Sequence, residues 1–395
     1  MSLGDLIHVK HGYAFKGEFF APDGKEVVLT PGNFPIGGGL HFRPGKDRYY
    51  TGSYPPEYRL TPGDLLVVMT DLTQNAPILG SPAFVPESPS VLHNQRLGLV
   101  TTKPGVDIDR RFLYYVLLSD ITRAQVRASA TGTTVKHTAP ERIYRVSVDV
   151  PPLPIQRKIG EILGSIDDLI ENNRRRVQIL DEMVQTIYRE WFIRFRFPGH
   201  EALKLVDPDG GPIPEGWELT SLGAVVDLKY GKALKKDDRN GGQVAVVGSS
   251  GIVGWHNEML IDGPAIVLGR KGNVGSVTWL DGPCWPIDTT YFVESKLSLR
   301  YVVEQLKRTE FLDTHAAVPG LSRDVAYSRP FLVPPDELIL VFTKIADAFG
   351  CQASALLKQN LCLSLTRDLL LPRIMTGQFD LSSFFADPVV LAAAT

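Results

Sequence analysis

The sequence is poor in cysteine, in net charge and in long apolar runs, and each shortage excludes a class of protein. Three cysteines, Cys284, Cys351 and Cys362, frame neither a disulfide scaffold nor a four-ligand zinc site. The eight histidines are scattered, with no His-x-x-x-His pair, so no metal site is expected. Forty-two basic residues stand against 44 acidic ones, for a net charge of −2, so the chain lacks the overall basicity of a simple polyanion binder. A nucleic-acid partner would have to be met by locally arranged cations. The longest uninterrupted apolar runs, such as residues 112–118, reach seven residues, against the ~20 of a membrane span. Residues 1–10 carry no signal-peptide pattern. Together these features predict a cytoplasmic protein with no membrane partner.

Catalytic and cofactor motifs are missing as well. Gly269-Arg270-Lys271-Gly272-Asn273-Val274-Gly275-Ser276 lacks the Gly-Lys-Ser/Thr ending that places a lysine on phosphates and a hydroxyl on magnesium. It reads as a basic turn between strands. Gly37-Gly38-Gly39 is followed by no helix signal, as a dinucleotide site would require. None of Pro55-Pro56, Pro151-Pro152 and Pro334-Pro335 sits in the Asn/Asp-Pro-Pro-Tyr/Phe loop of an adenine methyltransferase, and no Gly-x-Ser-x-Gly elbow occurs. No catalytic residue and no cofactor is assigned to this chain.

What is present is a duplication. Ser2-Leu3-Gly4-Asp5-Leu6-Ile7-His8-Val9-Lys10-His11-Gly12 resembles Ser221-Leu222-Gly223-Ala224-Val225-Val226-Asp227-Leu228-Lys229-Tyr230-Gly231. Residues 62–68 echo 262–268, and Val150-Pro151-Pro152 echoes Val333-Pro334-Pro335. The order is globular unit, helix, globular unit, helix. Short apolar runs at 65–69, 244–247 and 265–268, separated by Gly, Pro, Asn and Asp, predict β-rich units. Helical patches at 111–128 and 297–314 predict a small helical lobe in each. The expected class is therefore α+β. Its divisions are a first globular domain at 1–150, a central helix at 151–197, a second globular domain at 198–333, a further helix at 334–378 and a tail at 379–395.

The helices are read from heptad spacing. Ile159, Ile162, Ile166, Leu169, Asn173, Arg176, Leu180, Met183 and Ile187 recur every three and four residues. A weaker row runs through Ile345, Ala348, Gln352, Ala355, Gln359, Cys362, Thr366 and Leu369. About 40 residues at 1.5 Å each make a rod of roughly 60 Å. Two such rods, polar at their centres, predict an antiparallel coiled coil joining the two domains.

A family resemblance rests on these same residues. Val150-Pro151-Pro152-Leu153-Pro154-Ile155-Gln156-Arg157-Lys158-Ile159, running on to Asn172-Asn173 and to Tyr188-Arg189-Glu190-Trp191-Phe192, resembles the central region of specificity subunits of type I restriction–modification enzymes. Gly132-Thr133-Thr134-Val135-Lys136-His137 is similar to the segment that closes a target recognition domain there. Residues 248–257 and 269–272 resemble segments within such domains. Pro334-Pro335-Asp336-Glu337 departs from the pattern, lacking the Gln-Arg pair. The resemblance implies a chain that reads a bipartite target in double-stranded DNA, one domain per half-site. It also implies a scaffold for two modification (methyltransferase) subunits and for restriction subunits. S-adenosylmethionine, ATP and Mg would belong to those partners. The alternative is a coiled-coil protein-interaction scaffold that reads no DNA.

Candidate DNA contacts in the first domain are Lys10, Lys16, Arg96, Lys136 and His137. In the second they are Lys229, Lys232, Lys235, Lys236, Arg270, Lys271 and Arg323. Asn94-Gln95 and Thr289-Thr290 stand at roughly parallel places as readers of base edges, since Asn and Gln pair bidentately with adenine. Asn94 has a second possible use, closing a turn.

Overall fold

Leu65–Val68 is four apolar residues with no polar member, so neither of its faces can be left in water. The computed structural model describes residues 1–43, 45–207, 211–311 and 320–378, and in it this strand is covered on both sides. The chain forms two units, Met1–Glu171 with Asn360–Thr395, and Asn172–Gln359. The division therefore falls inside both long helices, whereas the sequence reading set each helix apart as its own segment. The expected tail at 379–395 lies outside the described residues.

In the first unit, β1 (Ile7–His11), β2 (Leu65–Val68), β3 (Pro82–Phe84) and β4 (Leu97–Thr102) form an antiparallel sheet in the order β1-β4-β2-β3. Leu65 and Val67 face the helices Arg110–Leu118 and Asp120–Ala128. Leu66 and Val68 face a second sheet made of Phe20–Ala21, Tyr49–Tyr50, Glu26–Val28 and Ser90–Leu92. The helices start where their caps dictate. The Asp109 carboxylate accepts from the Phe112 N–H at 2.8 Å, and the Ser119 hydroxyl accepts from the Thr122 N–H at 3.3 Å.

The second unit repeats the plan. β5 (Val226–Tyr230), β6 (Ala265–Gly269), β7 (Val277–Leu280) and β8 (Thr290–Ser295) pair in the order β5-β8-β6-β7. Ile266 and Leu268 face the helix Leu299–Leu306, while Ala265 and Val267 face the sheet of Gly251–His256, Val244–Gly248 and Cys284–Pro286. The helical patch expected at 297–314 is shorter than read, and its last residues lie outside the described ones. Pairing to β4 and β8 aligns Val67 with Leu268, so the sequence echo of 62–68 with 262–268 is out of register by one residue. Both strands are apolar throughout, so the letters alone leave the phase open.

The two long helices are Leu153–Tyr188 and Asp336–Met375. Within the first unit, Ile159 and Leu163 share a core with Leu371 and Ile374. Asp167 meets Arg367 at 2.7 Å, and Asn360 donates to the Ile170 carbonyl at 3.1 Å, so the segments run in opposite directions. Within the second unit, Asn173 donates to the Gln359 side chain at 3.1 Å, and Tyr188 packs on Tyr301 and Phe342.

The expected seams need correction. In the first helix Ile159, Asn173 and Leu180 are buried, with Ile162, Ile166 and Ile187 partly so. Leu169 and Met183 are 40% and 42% exposed, and Arg176 is exposed too. The alternate row is shifted by one residue to Leu163, Ile170, Val177 and Val184. In the second helix the whole row shifts by one, to Ala346, Leu356, Asn360 and Arg367. The reason is composition. Leu340, Val341, Leu357, Leu361, Leu365 and Leu369 are exposed, so apolar residues surround this helix and periodicity selects no face. The same helix holds an 18-residue stretch of mean hydropathy 1.3. Among the described residues it is the one helix that length and composition would allow to cross a membrane. Gln, Asn, Ser and Thr interrupt its apolar runs without adding charge, so no single run reveals it.

The corrected seam predicts unequal costs for neighbours. Ile170→Ala should destabilise by ~2–4 kcal/mol, as buried truncations do. Leu169→Ala should cost about 0.5 kcal/mol or less, as at an ordinary surface position. Urea denaturation of the two variants measures the difference; equal losses would restore the original row.

Candidate nucleic-acid interface

The two units share more than strand order. The Val9 N–H donates to the Tyr144 hydroxyl at 3.0 Å, and the Leu228 N–H donates to the Tyr327 hydroxyl at the same distance. A Cβ on Gly12 would stand 2.2 Å from the Asn94 carbonyl oxygen, and one on Gly231 would stand 2.1 Å from the Ile287 carbonyl oxygen. Only glycine permits that approach. The Met69 N–H donates to the Arg96 carbonyl, as the Arg270 N–H does to that of Thr289. The Thr138 N–H donates to the Met69 carbonyl, as the Leu321 N–H does to that of Arg270. One backbone frame thus carries two sets of side chains. The stretch between Gly12 and Asn94 is longer than that between Gly231 and Ile287.

In the first unit this frame gathers most of the expected contacts at one end of the sheet. Lys10 lies on β1, its ammonium 4.7 Å from the centre of the Tyr58 ring. Asn94 is partly buried, and its Oδ1 accepts from the Arg96 N–H at 2.9 Å, so it serves the turn; Gln95 and Arg96 are exposed. Lys136–His137 pairs with Thr70–Asp71, and His137 Nδ1 lies 3.0 Å from the Thr70 hydroxyl. Lys16 is exposed ahead of the short turn Gly17–Phe19.

The second unit is richer in stacked cations. The Arg270 guanidinium lies 5.0 Å from the Tyr230 ring and 5.8 Å from Tyr291, and its Nη1 donates to the Asp288 carbonyl at 3.1 Å. Arg323 lies 4.2 Å from the same Tyr230 ring. Lys232 lies 5.5 Å from the Trp285 ring. Lys235, Lys236 and Lys271 are exposed. Lys229 is paired with Asp227 at 2.5 Å and Glu294 at 3.9 Å, so its charge is already countered. That ion pair and the Tyr327 hydroxyl hold the Asp227 carboxyl below the usual carboxylate range.

Thr290 is a correction. It is 0% exposed and its hydroxyl donates to the Ile287 carbonyl, so it faces no ligand. The carbonyl of its neighbour Thr289 accepts from the Arg270 and Lys271 N–H groups, both at 3.0 Å. On the shared frame, Asn94-Gln95 corresponds to Ile287-Asp288, two residues before the threonines. The rings of Tyr58, Tyr230, Tyr291 and Trp285 went unread as partners of the cations. No local run signals these pairings, since Tyr230 takes Arg270 and Arg323 rather than its sequence neighbours Lys229 and Lys232. No group of three or more His, Cys, Asp or Glu placed to hold a metal stands among the described residues.

The fold and the site define a class: a chain presenting two non-identical α+β units, each with cations and aromatic rings at one end of a common frame. The family model of the type I restriction modification DNA specificity domain matches residues 1–181 and 214–310, well over half of the sequence, and the chain belongs to that family. The type I restriction enzyme MjaIX specificity subunit of Methanocaldococcus jannaschii is 29% identical over 138 residues, 35% of this chain and 32% of the relative. The HindI specificity subunit of Haemophilus influenzae is 20% identical over 353 residues, 68% of this chain and 77% of the relative. The chain spans about a third of the length of the first of these relatives. The crystal structure of a type I restriction–modification system S subunit from M. genitalium covers 95% of both chains with a TM-score of 0.52. At 16% identity that likeness is one of fold.

Beside the Asn94 turn, His93 is fully buried, with Nε2 2.9 Å from the Leu97 carbonyl and Nδ1 without a partner among the described residues. Burial pushes its pKa down from 6.5 to about 4, against the pull of the Leu97 carbonyl. The neutral ring is therefore the folded form. The unfolded chain takes up the proton first as pH falls through 6.5, so the stability contribution is complete above that pH and lost on the way to 4. The expected loss is roughly 3 kcal/mol at most. Thermal melts of wild type and His93→Gln between pH 7 and 4 test this; the wild type should lose more stability than the variant across the window.

Proposed function

We propose that this chain is a sequence-specific DNA-binding specificity subunit of a type I restriction–modification complex, with one unit reading each half of a bipartite target. The observation that carries the reading is the doubled frame with unlike side chains. A protein that reads two different half-sites needs two similar supports with separate surfaces. Membership of the specificity-domain family supports it. The exposed Gln95, Arg96 and Lys271 and the stacked Arg270 and Arg323 are the contacts this reading puts on DNA.

The chain binds no methyl donor in this reading and catalyses neither methylation nor cleavage. Two modification subunits and the restriction subunits assemble on it in the cytoplasm and bring S-adenosylmethionine, ATP and Mg. The two long helices form the antiparallel coiled coil that joins the reading heads and serves as their spacer. Opposed segments with partly buried polar pairs, Asp167 to Arg367 and Asn173 to Gln359, support that role, because polar contacts within the seam help fix register in helical pairs.

The reading is tested by selecting duplexes from a random library with the chain co-expressed with its methyltransferase subunits. Two conserved half-sites separated by an unread gap are expected. Enrichment of no sequence would favour a protein-interaction scaffold. Calorimetry of the purified chain with S-adenosylmethionine should show no binding; stoichiometric binding would overturn the non-catalytic assignment.

The spacer makes its own prediction. Removing residues 174–180 together with 353–359 takes one heptad from each helix and shortens the pair by about 10 Å. With 3.4 Å per base pair, the selected gap should shrink by up to ~3 base pairs while both half-sites stay the same. A folded double-deletion complex that still selects the original gap would leave the helices as docking surfaces only.

A further inference from the structure

We infer that Arg270 and Arg323, held on the ring of Tyr230, bind the DNA sugar–phosphate backbone at the half-site read by the second unit, and that the first unit has no equivalent contact. The inference rests on the DNA-reading function proposed above and adds to it which part of the DNA these residues take.

The comparison of the two frames isolates the cluster. Arg270 occupies the position of Met69, which is only 2% exposed. Tyr230 occupies that of His11, and Tyr291 that of Gly98, by the matching pairs His11–Gly98 and Tyr230–Tyr291. Arg323 opens the helix Arg323–Tyr327 as Pro140 opens Pro140–Tyr144. All four members differ while the backbone bonds around them are the same. The fold is therefore built without these side chains in one unit, and their presence in the other calls for a separate explanation.

The electrostatics supply one. Two guanidinium groups share one ring, and arginine stays charged at any working pH. Among the described residues neither forms an ion pair with a carboxylate. Arg270 has the Asp288 carbonyl for one of its nitrogens, and the Arg323 Nε is buried with no acceptor. Lys271, exposed next to Arg270, adds a third positive charge. Asp227, the carboxylate that feels Arg323, is already engaged by Lys229, so among the described residues this concentration of like charge is only weakly countered and favours an incoming anion. In DNA the phosphates carry the charge and the base edges carry none. Stacking on Tyr230 holds the guanidinium planes in place beforehand, which lowers the entropy lost when a phosphate is bound.

The experiment uses the complex of the full chain with its methyltransferase subunits and a labelled duplex carrying both half-sites. Binding constants are measured over a range of salt for wild type, Arg270→Gln/Arg323→Gln and Arg270→Lys/Arg323→Lys. Each phosphate contact contributes about 0.9 to the slope of log K against log salt. The glutamine pair should lower that slope by about 1–2 and weaken cognate and half-site-altered duplexes by the same factor. The lysine pair should keep most of the slope, which also shows that loss in the glutamine pair is not misfolding. An unchanged slope in the glutamine pair overturns the inference. So does an unchanged slope with lost discrimination at one half-site, which would make these arginines base readers. A wild-type complex that prefers no sequence would overturn the DNA-reading function, and the salt slope of its non-specific binding would still decide the phosphate contact.

Discussion

A strand with no exposed face has to be covered from two directions, and the architecture of each unit follows from that demand. Leu65–Val68 and Ala265–Gly269 offer apolar side chains above and below the sheet. Helices cover one face and a small second sheet covers the other. Burial at ~25 cal/mol per Å² makes such a strand a large local contributor to stability. Once it is fixed, the ends of its neighbours are fixed with it. The turns that follow Met69 and Arg270 therefore emerge at set places, and they hold the polar and cationic side chains.

The polar groups inside the helical segments work differently. Arg367 is largely buried between Asp167 and Asp368, and Tyr115 donates to the same Asp167 at 2.6 Å. Burial by itself would lower the arginine pKa, but the two carboxylates outweigh it and the shift is upward. A buried ion pair of this kind adds little net stability over an apolar one, yet a mispaired register would strand a charge, which is costly. The device selects one alignment of two helices whose apolar residues would accept several.

Much of this was legible in the sequence, for identifiable reasons. Pro151-Pro152 and Pro334-Pro335 mark where the long helices begin, because proline is favoured just ahead of or within a first turn. The match of residues 2–12 to 221–231 reflects shared constraints: Gly12 and Gly231 each lie against a carbonyl, and Val9 and Leu228 each give an N–H to a tyrosine. The seam of the second helix was not legible, since leucines at 357, 361, 365 and 369 imitate a core stripe while facing outward. The burial of Thr290 is not legible either, because a hydroxyl in a strand reads as surface, whereas this one is spent on the Ile287 carbonyl. The rings beneath the cations come from strands distant in sequence, Tyr291 from β8 and Tyr230 from β5, and no local pattern announces such a pairing.

The unequal stretches between the paired glycines and their carbonyls, 13–93 in one unit and 232–286 in the other, have a thermodynamic consequence. Closing a loop costs free energy only as the logarithm of its length. By that scaling the longer insert costs roughly 0.3 kcal/mol more than the shorter one. Leu65–Val68 and Ala265–Gly269 lie inside these stretches and carry the core, so it is only length in the loops between their strands that is nearly neutral to stability. Insertions and deletions there can accumulate and be sorted by what they bind, while selection for a folded protein hardly registers them.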